Sequence, residues 1–184
     1  FTVTYHTGAL KTKPNTVSCI NESLKHGAEI VEFDVTFRPD GTPVIIHDNS
    51  PALNQGVLFE EALKAVARSK TCMINLDIKS TANLNAVDVL VKKHGLSERV
   101  FYTGVFENFV SDVQSNSQIP YYLNYNISKS EADCIPDLQK IAEKIKNYGA
   151  IGINSNYTHA TDLFVEIMRK NGLLVSLWTV NKTN

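Results

Sequence analysis

The chain has few cysteines, no long apolar run and no excess of either charge. Among 184 residues only Cys19, Cys72 and Cys134 are cysteines. Odd in number and widely spaced, they exclude a disulfide framework and a CxxC metal site. They read as small apolar side chains kept reduced, which points to a cytoplasmic protein, with a processed secreted form as the other option. No stretch approaches the ~20 apolar residues of a membrane span. The nearest, Leu173 to Val180, is broken by Ser176 and Thr179, so no integral membrane segment is expected. The first residues lack the basic start and apolar core of a signal peptide. Eighteen basic and nineteen acidic residues leave a formal net charge of −1. That balance gives no general attraction to nucleic acid, so an anionic partner must be held by a local site. No GxSxG, Walker, Rossmann or HExxH pattern occurs. Sequons at Asn21, Asn126, Asn156 and Asn181 carry little weight in so Asn-rich a chain.

One unit recurs in what is present. A helical pattern ends in a polar or basic residue and a glycine, and a β-rich run follows. Lys25-His26-Gly27 precedes 30–35, Lys93-His94-Gly95 precedes 100–103, Tyr148-Gly149 precedes 150–154, and Lys170-Asn171-Gly172 precedes 173–180. Glycine there can take the left-handed conformation that closes a helix, and basic residues suit the negative end of the helix dipole. Four such passages predict repeated βα units with parallel strands. Strands are expected near 2–6, 30–35, 43–47, 73–78, 99–104, 120–124, 150–154 and 173–180. Helices are expected near 15–26, 58–69, 82–94, 107–116, 131–147 and 160–171. Asp40-Gly41 between Pro39 and Pro43 signals a tight turn, making Val44–His47 an accessory strand beside 30–36. The predicted fold is α/β, either a (β/α) barrel of the TIM type or an open doubly wound sheet. One domain is expected over residues 1–184.

Chemistry concentrates at strand ends. In Ile-Val-Glu-Phe-Asp-Val, Glu32 and Asp34 share one face while Val31, Phe33 and Val35 share the other. Two residues along a strand span about 6.6 Å, within reach of one ion. Two carboxylates on so apolar a strand need relief, from a cation or from a neighbouring Lys or Arg. Strand 73–78 repeats the device with Asn75, Asp77 and Lys79 on one face. Three carboxylates without histidine or cysteine alternation suit a hard ion, Mg²⁺ or Ca²⁺. His6 and His47 each follow a β-rich run and form a candidate acid/base pair near neutral pH. His26 and His94 read as helix-end residues, and His159 as a solvated loop side chain. Trp178 suits either the core or the wall of a ligand site.

These residues carry a resemblance. His6-Thr7-Gly8, Pro14-Asn15-Thr16, the segment Gly27 to Val35, Asp40 to Asp48, Leu76-Asp77-Ile78-Lys79 and Leu177 to Asn181 occur in the order seen in the glycerophosphodiester phosphodiesterase family. The resemblance implies a TIM-type barrel with one divalent cation at its C-terminal mouth and hydrolysis of a small-molecule phosphodiester. It implies Glu32, Asp34 and Asp77 as metal ligands, His6 and His47 as the acid/base pair, Lys79 as a phosphate contact and Trp178 as a pocket wall. The chain departs from the family pattern in several places. Thr7 stands where the family has an arginine, and supplies at most a neutral hydrogen bond to substrate. Asp77 replaces a glutamate, and the glutamate of a Pro-Glu-Asn-Thr motif is absent. Only 25 residues separate His47 from strand 73–78, which leaves no room for the family's small inserted domain. The last βα unit is expected to be missing, so that the barrel is left open or is completed by a further C-terminal segment or a second copy. Two rival readings accompany the hydrolase: a phospholipase-D-like lipid phosphodiesterase of the sphingomyelinase-D type, and a non-catalytic barrel that binds phosphate-bearing ligands.

Overall fold

In the computed structural model, residues 2–179 are described. The chain falls into two compact units, Phe1–Gly104 with Ser111–Ile119, and Val105–Val110 with Pro120–Asn184.

The first unit is built around one buried strand. Strand β1 covers Thr4–Tyr5, β2 Ile30–Phe37, β3 Pro43–Ile45, β4 Val57–Leu58, β5 Met73–Ile78 and β6 Val100–Val105. Every residue of β2 is buried. It pairs in parallel with β1 and β5, and antiparallel with β3, which in turn pairs with β4. The register sets Asp34 beside Asp77, and Glu32 beside Asn75. β5 continues in parallel to β6, with Asp77 beside Thr103. Strands that are parallel need helical crossovers, and three are present: α1 (Val17–Lys25), α2 (Phe59–Val66) and α3 (Leu84–Lys93). Helix α1 starts on Thr16, whose hydroxyl accepts from the Cys19 N–H at 3.2 Å. Gly27 follows its end at φ 77, the left-handed stop that the Lys-His-Gly pattern predicts. The apolar face of β2 packs under helices: Val31, Phe33 and Val35 are at most 1% exposed, and the Phe33 ring meets Phe59 of α2 at 6.2 Å. The opposite face of β2 is the polar one, and it is equally buried.

Helix α4 (Glu107–Asn116) contains part of the division between the units. The second unit holds the parallel strands β7 (Tyr121–Asn124), β8 (Gly152–Asn156) and β9 (Leu174–Trp178). Helices α5 (Lys129–Ala132), α6 (Ile135–Asn147) and α7 (Asp162–Lys170) connect them. α7 starts on Thr161, whose hydroxyl accepts from the Phe164 N–H. α6 begins with Pro136 in its first turn, where proline costs no hydrogen bond.

The alternation of strand and helix and the parallel pairing within each unit agree with the α/β expectation. The one strand pattern reading missed is β4, two residues long and so without readable alternation. The accessory strand ends at Ile45, leaving Ile46 and His47 in the following loop. Cys19 and Cys72 are buried and Cys134 is half-buried, all three free. Among the described residues no helix is long and apolar enough to cross a membrane.

Candidate active site

The polar face of β2 and the end of β5 bring three carboxylates together. One oxygen each from Glu32, Asp34 and Asp77 lies within 4.8 Å of the others. The cause is local: alternation puts Glu32 and Asp34 on one face, and the parallel register adds Asp77 from the next strand. Glu32 and Asp34 are buried, and Asp77 is half-buried.

Burial this deep disfavours charge. It pushes the Glu32 carboxyl up to about 8, with Asp34 and Asp77 adding repulsion, against the opposing pull of the Thr7 N–H and of Lys79. The Lys79 ammonium sits between the two aspartates, 2.5 Å from Asp77 Oδ2 and 3.0 Å from Asp34 Oδ1. Burial alone would lower the lysine, but the two carboxylates outweigh it and hold it above its usual value. Thr103 donates toward Asn75 Oδ1 (2.8 Å) and Asp77 Oδ1 (3.1 Å). The chain behind Asp77 leaves space only for glycine. A Cβ on Gly104 would stand 2.5 Å from the Ile78 carbonyl oxygen and 2.6 Å from Asp77 Oδ1, and Gly104 has φ 74.

A second set of bonds comes from the loop after β1. The Thr7 N–H donates to Glu32 Oε2 at 2.8 Å. The Asn15 amide donates to Asp34 Oδ2 at 2.6 Å, and its carbonyl oxygen accepts from the Asp34 N–H at 2.9 Å. The Asn15 N–H in turn donates to the Thr7 hydroxyl oxygen at 2.6 Å. The loop that makes these bonds is contorted: Leu10, Lys11 and Asn15 all have positive φ. Each such non-glycine residue costs on the order of 1 kcal/mol or more, and tolerating it needs a well-determined surround.

The histidines lie on the solvent side. His6 is largely exposed, with Nε2 3.8 Å from Glu32 Oε2. Its Nδ1 is 2.9 Å from the Thr7 carbonyl oxygen. A carbonyl only accepts, so Nδ1 carries the proton and the neutral ring offers a lone pair at Nε2. His47 is exposed in the loop after β3. Arg38 grips the far end of that loop, donating to the carbonyl oxygens of Gln55 and Gly56 at 2.9 Å each. Asp48 Oδ1 caps a turn on Ser50 N–H.

Of the eight residues singled out from sequence, the structure gathers six. Glu32, Asp34, Asp77, Lys79, Thr7 and His6 are joined by the contacts above. His47 belongs to the same unit but makes no side-chain contact that joins it to them. Trp178 ends β9 in the second unit, 37% exposed. Lys79 is spent on the acids rather than standing free, and the Thr7 hydroxyl oxygen is turned to Asn15. His26 and His94 are helix-end residues as expected; His94 also meets Glu60 at 3.0 Å. His159 is exposed. Asn15 and Thr103 were missed as site residues. Asn15 had a signal, since asparagine after a turn proline tolerates a left-handed backbone and carries a donor and an acceptor. Thr103 had none, because only the strand register brings it to Asp77.

The donor set fits a hard divalent ion: all oxygen, carboxylate, clustered, and already attracting the Lys79 ammonium. Glu32, Asp34 and Asp77 would hold it.

Comparison with known proteins bears on this arrangement. Residues 6–57 match the profile of the glycerophosphoryl diester phosphodiesterase family. Over 46 residues, 24% of this chain, the sequence is 44% identical to glycerophosphodiester phosphodiesterase 1 of Rattus norvegicus and of Homo sapiens. That stretch spans 14% of each relative's length. Solved structures are similar over nearly the whole chain. A glycerophosphodiester phosphodiesterase from Agrobacterium tumefaciens aligns with TM-score 0.76 and 17% identity, covering 98% of this chain and 87% of that one. An Oleispira antarctica phosphodiesterase, solved with the product sn-glycerol-3-phosphate, aligns with TM-score 0.79 and 17% identity, covering 99% and 85%. The resemblance read from the sequence therefore holds. Residues 6–57, from the loop after β1 through β2 and the His47 loop to the start of β4, resemble that family, and the fold is α/β, similar to these solved structures.

Proposed function

We propose that this chain is a divalent-cation-dependent phosphodiesterase that hydrolyses glycerophosphodiesters to glycerol phosphate and an alcohol. The observation that carries this reading is the triad of buried Glu32 and Asp34 with half-buried Asp77, its oxygens within 4.8 Å, with the His6 imidazole at its solvent edge. The family match over 6–57 and the product-bound structural neighbour support the same substrate class.

When bound, Mg²⁺ or Ca²⁺ supplies charge neutralisation and polarisation of a phosphate oxygen. The chain's own residues do the rest. Glu32, Asp34 and Asp77 would present carboxylate oxygens from the paired strands β2 and β5. Lys79 gives up its aspartates and turns its ammonium toward the anionic diester. His6, its Nδ1–H fixed on the Thr7 carbonyl, takes the proton of the attacking oxygen at Nε2. His47, on the exposed loop after β3, gives a proton to the leaving alkoxide, so that two histidines divide the proton transfers.

The test is release of choline from glycerophosphocholine in the presence of Mg²⁺ or Ca²⁺. Turnover that EDTA abolishes and added metal restores is the expected result. Metal-independent turnover, or binding of the diester with no alcohol released, would overturn the proposal. Faster release from sphingomyelin than from glycerophosphocholine would move the substrate class to phospholipids.

A further inference from the structure

The loop between β1 and α1 carries His6 and also holds two of the three acids, Glu32 and Asp34, through Thr7 and Asn15, whose side chains no chemistry assigned above uses. Asp34 is gripped twice by Asn15, at its carboxylate oxygen Oδ2 (2.6 Å) and at its own N–H (2.9 Å). That leaves Oδ1 as the oxygen facing the cluster, where Lys79 now sits at 3.0 Å. Asn15 is 7% exposed and its backbone φ is 54, so it reaches this pose only with its own N–H anchored. The anchor is the Thr7 hydroxyl oxygen at 2.6 Å, and Thr7 is also buried. The Thr7 N–H fixes Glu32 through Oε2 at 2.8 Å. An oxygen engaged by a strong donor is a poorer ligand and cannot swing. We infer that Thr7 and Asn15 form a latch of positioning residues, which fixes Asp34 and Glu32 so that each presents one oxygen to the cation. In this chain the side chain at position 7 is then devoted to shaping the metal centre, not to holding the substrate phosphate. The inference rests on the function proposed above.

The latch makes a graded prediction for metal affinity measured by calorimetry on the whole chain, with no substrate present. Asn15→Gly suits the positive φ and removes both bonds to Asp34; the Kd for Mg²⁺ or Ca²⁺ should rise by about tenfold or more, the usual effect of losing an outer partner of a ligand. Thr7→Val keeps the shape but loses the acceptor, leaving the buried Asn15 N–H unpaired, and should weaken binding several-fold. Thr7→Ser restores the acceptor and should bind within about twofold of wild type. A role confined to stability would lower the melting temperature in these variants without this order of affinities. The decisive background is Asp34→Asn: if Asn15 acts through Asp34, adding Asn15→Gly to it should cost little further affinity. Should Asn15→Gly fail to fold, Asn15→Asp, which tolerates the same backbone and loses the donor to Oδ2, carries the comparison with Thr7→Val and Thr7→Ser. Wild-type affinity in Asn15→Gly or its substitute, or equal affinities for Thr7→Val and Thr7→Ser, overturns the latch alone. A wild-type chain that takes up neither ion overturns the proposed function itself, and the latch with it.

Discussion

The molecule contains two clusters of similar side chains with opposite surroundings. In the first unit Glu32, Asp34, Asp77 and Lys79 meet inside the protein. In the second, Glu107, Glu131 and Asp137 meet Lys140, Lys144 and Tyr125 at the surface. There Lys144 pairs with Glu107 and stands 5.4 Å over the Tyr125 ring, while the Tyr125 hydroxyl donates to Glu131 at 2.5 Å. The surface cluster shifts pKa values by pairing: the Glu131 carboxyl is lowered by the Ser128 and Tyr125 hydroxyls, and the Tyr125 phenol rises to about 12 beside that carboxylate. The interior cluster shifts them by desolvation, and in the opposite sense for its glutamate. Water screens the surface cluster far more than the interior one. Burial, rather than proximity of charged residues, is what separates the two clusters.

The sharpest break in that contrast comes from removing one acid on each side. Asp34→Ala should abolish measurable metal uptake and lower turnover of glycerophosphocholine by about 10³-fold, the several kcal/mol that a bound ion supplies. Glu131→Ala should leave both unchanged. His47→Ala should reduce turnover by about 10²–10⁴-fold while metal affinity, read by calorimetry, stays at the wild-type value. Gly104→Ala should cost about 1–3 kcal/mol in denaturant unfolding, since its Cβ would overlap the Ile78 carbonyl oxygen and Asp77 Oδ1.

The pH dependence of stability separates the clusters further. Glu32 is raised from 4.5 to about 8 in the folded chain. Its contribution is therefore complete below about pH 4.5 and lost as pH rises toward 8. The melting temperature of the cation-free protein should fall across that window, and Glu32→Gln or saturating divalent ion should flatten the slope. A slope unchanged by Glu32→Gln would show that the carboxyl is ionised throughout. The smallest effect belongs to the surface: Lys144→Gln should change stability by less than about 1 kcal/mol and should matter less still in high salt.

How much of this was legible follows from the range of each interaction. Alternation along β2 placed Glu32 and Asp34 on one face because that rule needs only adjacent residues. The helix-ending glycines were legible for the same reason, as Gly27, Gly95, Gly149 and Gly172 confirm with φ between 65 and 77. The meeting of Asp34 with Asp77 depends on the register between β2 and β5, which composition does not encode; the family resemblance supplied it. The neutralisation of the acids by Lys79 was foreseen as the bland alternative for this strand, and the structure shows it together with the triad. The roles of Asn15 and Thr103 depend on loop conformation and on a third strand, and neither leaves a period to read.

The grip of Arg38 on Gln55 and Gly56 carries a consequence for His47. The histidine rides on a span tied at one end to β3 and at the other by β4, which pairs with β3, and by the Arg38 guanidinium just past β2. The placing of that imidazole thus depends in part on Arg38 through the backbone of Gln55 and Gly56. Loosening the tether, by Arg38→Met for instance, would let the histidine wander, slowing each turnover without altering any group that touches the diester.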